Sequence, residues 1–204
     1  MTLYVSILSV AAVVAAAAAC VDAWRFLETW TGRIRIGRWR DRRAWQDALA
    51  RRASAWIKRM PPVPKKDQGR LVLWDMMRGA YADAAIQGWQ LAGLSLGLNA
   101  YAGDRNDGDL REKLRDTLGR HELVVNYLER ENPGTWEVDR MLLDYAVLEA
   151  GCGVEERLVE KSLAFLESLK TEAGTLAYRR GQPAVRYVDT IGLACPLAAA
   201  CAAR

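Results

Sequence analysis

Two aspartates, Asp139 and Asp189, are the residues of this 204-residue chain whose type and position could do chemistry. Asp189 is the only acid in RYVDTIGLACPL (residues 186–197), at the start of an apolar run. A carboxyl group in apolar surroundings tends to stay protonated and can serve as a general acid. The alternative role for Asp189 is a helix N-cap, and for Asp139 it is a first-turn acid favoured by the helix dipole. The residues alone leave both alternatives open.

Other common catalytic and metal-binding chemistries have little support. The chain has one histidine, His121, so a histidine-based metal site or a Ser-His-Asp relay would depend on that single residue. The four cysteines show no C-x-x-C spacing; they are Cys20, Cys152, Cys195 and Cys201. We expect reduced thiols, no metal and no cofactor.

The elements that must position these aspartates are predicted to be helices, because no strand alternation is evident after residue 70. Periodicity predicts helices over 71–102, 110–130, 136–150 and 154–170, with turns at 103–109 and 151–153 and a loop or small hairpin at 171–187. The last helix begins either near Asp189, with a kink at Pro196, or near Pro196 itself. Helices poor in charge alternate with charged ones, which predicts inner helices at 71–102, 136–150 and 188–204 and outer helices between them.

The first residues predict a membrane helix. Residues 3–21 form a 19-residue stretch without a charge, and a helix of that length spans roughly 28 Å, close to the hydrocarbon thickness. We predict a transmembrane anchor at 1–24, with a cleaved signal peptide as the alternative. Arginines dominate the following flank, so the positive-inside bias predicts an inner-membrane protein with a cytoplasmic body; signal cleavage would instead predict export.

A basic segment follows the apolar one. Residues 22–60 hold eleven basic and four acidic side chains, whereas residues 61–204 hold 18 basic and 21 acidic ones. A basic neck beside an apolar helix indicates membrane lipid as the partner and argues against nucleic acid. We predict a basic juxtamembrane amphipathic segment at 25–60 and a proline-rich linker at 61–69. The amphipathic pattern of 42–60 fits a helix lying along the membrane or against the body.

The body, residues 70–204, resembles a known enzyme family. TWEVDRMLLDYAVLEAG (135–151) and RYVDTIGLACPLAAACA (186–202) are similar to segments of the six-hairpin (α/α)6 glycosidases. The unsaturated uronyl hydrolases of glycoside hydrolase families 88 and 105 are the most similar, together with related proteins of exopolysaccharide gene clusters. In those hydrolases a second aspartate follows the first by about fifty residues, in a pattern that Tyr187 to Pro196 follows.

The resemblance implies an activity and a set of site residues. Such enzymes hydrate the 4,5-double bond of an unsaturated uronic acid, using one neutral and one ionised carboxyl group. It implies Asp139 and Asp189 as the catalytic pair, with Asp189 neutral among apolar neighbours and Asp139 ionised beside Arg140. The residues implied to bind an oligosaccharide or uronic-acid-containing polysaccharide are Trp136, Tyr145, Tyr178, Arg179 and Tyr187.

A complete toroid of this kind contains twelve helices, and the body supplies about five. The expected fold is therefore all-α: an N-terminal membrane helix followed by paired antiparallel helices forming an incomplete (α/α) toroid. Two functions remain open. One is a membrane-anchored carbohydrate-active protein, a truncated or degenerate uronyl hydrolase. The other is a non-catalytic helical membrane protein that supports exopolysaccharide biosynthesis or export.

Overall fold

The computed structural model describes residues 2–32, 41–60, 63–64, 81–82, 85–129, 137–182 and 189–203. Contacts divide the chain into two units, 1–85 and 86–204. The described residues form eight helices and one pair of two-residue strands, so the expected all-α class is confirmed. In order, the elements are α1 (Thr2–Gly32), α2 (Arg42–Lys58), β1 (Val63–Pro64), β2 (Tyr81–Ala82), α3 (Gly88–Arg105), α4 (Gly108–Gly119), α5 (Glu122–Glu129), α6 (Arg140–Ala150), α7 (Glu155–Leu169) and α8 (Thr190–Ala202).

The first unit contains α1, α2 and the strand pair. Large apolar side chains of α1 are exposed, including Tyr4 at 75% and Leu8 at 69%. Among the residues that the structure describes, no helix combines the length and apolarity needed to cross a membrane. Val63 and Pro64 pair antiparallel with Ala82 and Tyr81, so part of the predicted linker and the predicted helical residues 81–82 are strand instead. Residues 65–80 lie outside the described part of the chain.

In the second unit, the first predicted turn and charged helix are both revised. α3 continues to Arg105, and the turn is confined to Asn106 and Asp107, where Asn106 has a left-handed φ of 52°. Asp107 then caps α4 by accepting a hydrogen bond from the Leu110 amide at 3.0 Å. The predicted helix 110–130 is two helices, because the chain leaves α4 after Gly119. The carbonyl of His121 then accepts the first hydrogen bonds of α5.

The last three helices follow the prediction more closely. α6 ends where expected, at Gly151, whose φ of 67° suits glycine. α6 begins at Arg140, later than expected, since Glu137 pairs with Arg179 as an isolated bridge. α8 begins at Thr190 and contains Pro196, so the alternative of a helix starting near Pro196 is wrong.

Helix α6 is the centre of the second unit. It contacts α3, α4, α7 and α8, and Met141 and Leu148 on it are fully buried. These side chains share a core cluster with Phe165 of α7 and Leu197 of α8. α3 and α8, which are poor in charge, therefore both pack against α6, and the charged helices α4 and α7 contact α6 as well.

A buried ion pair on α6 connects that helix to two neighbours. Arg140 Nε lies 2.7 Å from Asp144 Oδ1, and the two side chains are only 10% and 0% exposed. Ser162 of α7 donates a hydrogen bond to the other oxygen of Asp144 at 2.7 Å. Arg140 also donates to the Leu123 carbonyl of α5. Burial raises the pKa of Asp144, while Arg140 and Ser162 oppose that rise by favouring the carboxylate.

Replacing Asp144 by alanine should strongly destabilise the second unit. The change leaves the Arg140 guanidinium buried without its counter-charge, which typically costs about 3–5 kcal/mol. Denaturant unfolding of the full chain measures the loss. The control is Asp116→Ala, which removes an exposed pair with Arg120 and should cost less than about 1 kcal/mol. Equal losses in the two variants would contradict a special role for the buried pair.

Candidate functional site

The candidate site lies at the amino end of α6, where the segment before the helix meets the loop after α7. Glu137 and Arg179 form an antiparallel bridge, and the Val138 amide donates to the Tyr178 carbonyl at 3.1 Å. This pairing supplies backbone hydrogen bonds outside the helix. The chain turns into α6 directly after Glu137, whose carbonyl accepts from the Arg140 amide at 3.1 Å. Val138 is 0% exposed and lies in the core.

Glu137 holds two side chains of the neighbouring loop. Tyr178 donates its hydroxyl hydrogen to Glu137 Oε2 at 2.8 Å. Arg179 forms an ion pair with the other carboxylate oxygen, and its guanidinium carbon lies 5.6 Å from the centre of the Tyr178 ring. The carboxylate of Glu137 therefore fixes the positions of a phenol and a cation beside Asp139.

Asp139 is a partly buried carboxyl group in this cluster. It occupies the N-cap position of α6, but its backbone is helical (φ −61°, ψ −21°) and its side chain caps no amide. Capping aspartates usually have extended backbones that direct the side chain onto the first turn. Burial and the charge of Glu137 raise the pKa of Asp139, whereas backbone amides and Arg179 lower it. The net direction is upward, contrary to the expectation that Arg140 keeps Asp139 readily ionised.

Tyr178 is held in its protonated form. Partial burial, the hydrogen bond to Glu137 and the negative charge of Asp139 all raise the pKa of Tyr178, with only Arg179 opposing them. A phenol that keeps its proton can act as a hydrogen-bond donor at neutral pH. The cluster thus combines a carboxylate, a carboxyl group with a raised pKa, a phenol and a guanidinium.

Asp189 lies in a different environment. It precedes α8 with a helical backbone (φ −69°, ψ −16°), and its side chain makes no capping hydrogen bond. The residue is exposed, as is its apolar neighbour Ile191 at 68%. The N-cap alternative for Asp189 is therefore wrong, and so is the expectation that apolar neighbours enclose its carboxyl group.

The structure unites three of the proposed site residues. Asp139, Tyr178 and Arg179 share the Glu137 cluster, whereas Tyr145 is partly buried and packs against the core of the second unit. Trp136 and Tyr187 lie outside the described residues. Sequence reasoning missed Glu137, although the pattern Glu-Val-Asp places a second acid two residues from Asp139.

Two further findings bear on the class of site. The described residues contain no group of three histidine, cysteine or acidic side chains that could hold a metal ion. No family model, curated protein or solved structure matches the chain. The chemistry of the site therefore has to be inferred from Glu137, Asp139, Tyr178 and Arg179 themselves.

The raised pKa of Asp139 predicts a pH-dependent effect on stability. A carboxyl group whose pKa is higher in the folded state favours folding when protonated, and this contribution is lost as the pH rises through the folded pKa. Asp139→Asn should therefore raise the free energy of unfolding at neutral pH, where the parent carries an unfavourable charge. Below pH 3.8, the ordinary pKa of the group, the parent's Asp139 is protonated in both the folded and the unfolded state. The variant should then have no advantage in the free energy of unfolding.

Denaturant unfolding at neutral and acidic pH measures this difference. Glu172→Gln is the control, because it neutralises an exposed acid in the loop after α7 and should leave the pH dependence unchanged. A variant of Asp139 that is destabilised at neutral pH would show that the carboxylate is favourably held, contrary to the prediction.

Proposed function

We propose that this chain is a membrane-associated carbohydrate-active protein whose sugar-processing group is Asp139. The observation that carries the proposal is the position of this carboxyl group, which is partly buried with a raised pKa beside Glu137, Tyr178 and Arg179. Carboxyl groups with different environments in one site are what acid–base chemistry on sugars requires. The contacts of α6 with helices of lower charge, α3 and α8, and with the charged helices α4 and α7 are compatible with an incomplete (α/α) toroid as the framework.

The reaction class is hydration of an unsaturated uronic acid, as the sequence resemblance implies. Asp139 in its protonated form would donate its proton to C4 of the 4,5-double bond. The oxygen of a water molecule bonds to C5, and a proton of that water passes to the carboxylate of Glu137. The resulting hemiketal opens and the neighbouring sugar is released. Tyr178 donates its hydroxyl hydrogen to Glu137, so the phenol oxygen could accept a hydrogen bond from a sugar hydroxyl.

Arg179 fits a uronic acid rather than a neutral sugar. Guanidinium groups bind carboxylates through paired charge-assisted hydrogen bonds. In the structure the guanidinium of Arg179 forms an ion pair with Glu137, and 48% of the Arg179 side chain is exposed. A uronate carboxylate would therefore share Arg179 with Glu137 or displace it. Asp189, which is exposed at the start of α8, has no assigned step in this scheme.

Membrane association is the second part of the proposal. Its support is the uncharged stretch at residues 3–21, the arginines that follow it and the exposed apolar side chains of α1. The expected placement is the inner membrane with a cytoplasmic body, and export after signal cleavage is the alternative.

The function is tested with an unsaturated glucuronyl disaccharide, whose double bond absorbs ultraviolet light until it is hydrated. The full chain should remove this absorbance, and Asp139→Asn should slow the reaction at least about a hundredfold, the usual contribution of a general acid. The rate should fall as the pH rises through the pKa of Asp139. Asp109→Asn, an exposed acid on α4, is the matched control and should retain full activity.

A non-catalytic role in exopolysaccharide biosynthesis or export is the second candidate. It is favoured by the exposure of Asp189, since the two aspartates of the resemblance lie in unlike environments. This candidate predicts that the folded chain binds uronic-acid oligosaccharides without converting the unsaturated disaccharide. Turnover of the disaccharide by the parent would contradict this second candidate, and turnover that is equal in the parent and in Asp139→Asn would contradict the assignment of Asp139 as the acid.

A further inference from the structure

Helix α2 turns its apolar face into the protein. Ala50 and Ile57, two turns apart on this helix, are only 8% and 4% exposed. The sequence left open whether this helix lies along a membrane or against the body. An amphipathic helix that inserts into a bilayer needs its apolar face free for the lipid. In α2 Ala50 and Ile57 of that face are already buried, so these two side chains are not free to enter a bilayer.

The outward face of α2 is basic. The segment 41–60 contains six basic and two acidic residues. Five of the basic residues are exposed, namely Arg42, Arg43, Arg51, Lys58 and Arg59. One acid, Asp41, is engaged as the N-cap, accepting hydrogen bonds from the amides of Arg43 at 2.9 Å and Ala44 at 3.2 Å.

The helical spacing of Arg51 and Lys58 places their positive charges on one side of α2. Arg51 and Lys58 are seven residues apart, like Ala50 and Ile57, and each pair therefore lies in one row of the helix. Arg59 follows as the C-cap residue with an extended backbone, and it places a third exposed cation at the carboxyl end of α2, where positive charge is also favoured by the helix dipole. The result is a helix with one row held in the protein and another row of cations facing outward.

We propose that the outward face of α2 binds the phosphates of an anionic lipid surface, as a peripheral electrostatic contact rather than by insertion. Clusters of basic residues bind such surfaces because each cation near the surface is attracted by the anionic headgroups. A membrane is favoured over a nucleic acid because the same unit contains α1. Its exposed apolar side chains, such as Leu8 at 69% and Val13 at 68%, gain nothing from water. This contact does not depend on the sugar chemistry assigned to Asp139.

The contact has a characteristic dependence on salt. Charges at a surface are screened over about 10 Å at 0.1 M salt, and over shorter distances as the salt concentration rises. Apolar contacts made by α1 should not weaken with salt and should not discriminate between lipid charges. Arginines at residues 25–40 also contribute to a preference for anionic over zwitterionic vesicles. The difference in this preference between the parent and a variant of α2 therefore isolates the contribution of α2.

The test is vesicle flotation of the full chain at limiting lipid, comparing phosphatidylglycerol-containing vesicles with pure phosphatidylcholine vesicles. The test variant carries Arg51→Gln, Lys58→Gln and Arg59→Gln. Its preference for anionic vesicles should fall roughly a hundredfold, because each basic residue near an anionic surface contributes about a factor of five. Circular dichroism checks that both the variant and its control keep the parent's helix content.

The matched control neutralises three exposed basic residues of α4 and its end, Arg111, Lys113 and Arg120, also to glutamine. It changes the net charge equally and should retain the preference. Equal losses in the two variants would mean that net charge alone drives binding, and an unchanged test variant would mean that α2 makes no contact; either result overturns the proposal. A test variant that loses binding to a single-stranded RNA but keeps its vesicle preference overturns it in favour of nucleic acid.

Discussion

The buried pair of Arg140 and Asp144 is the constraint on which the second unit depends. Two charges removed from water are tolerable only when each has its partner and further hydrogen bonds. Here those bonds come from neighbouring helices: Ser162 of α7 donates to Asp144, and the Leu123 carbonyl of α5 accepts from Arg140. A shift of α6 along its axis would break all of these hydrogen bonds. The ion pair therefore fixes the axial position of α6, and with it the position of Asp139, which directly precedes Arg140.

The candidate site brings two like charges together, whereas the buried ion pair joins opposite charges. Glu137 and Asp139 lie close together at the amino end of α6, where their negative charges oppose each other and burial adds to the cost of ionising Asp139. Tyr178 and Arg179 stabilise the carboxylate of Glu137 directly, through a hydrogen bond and an ion pair. Asp139 remains unfavourable to ionise, which raises its pKa. A group that is unfavourable when ionised in the folded state is what an acid catalyst requires. The raised pKa that suits the proposed acid role of Asp139 therefore lowers the stability of the folded state when Asp139 is ionised.

Particular elements show where local patterns were sufficient. Gly151 ended α6 as expected, because a left-handed residue favours glycine. The break between α4 and α5 was not foreseen, since the apolar spacing continues through it. The late start of α6 was missed for a different reason. Glu137 forms an antiparallel backbone bridge with Arg179, which lies 42 residues away in the chain.

The sequence by itself determined the helical class, the basic segment and the ends of several helices, because these depend on periodicity, composition and neighbours along the chain. Only the tertiary structure decided what surrounds each carboxyl group. Asp139 became a partly buried acid beside Glu137, Asp144 became the buried partner of Arg140, and Asp189 was left exposed. The physical reason is that burial and charge pairing depend on long-range contacts, whereas helix formation depends mainly on residues within a few turns.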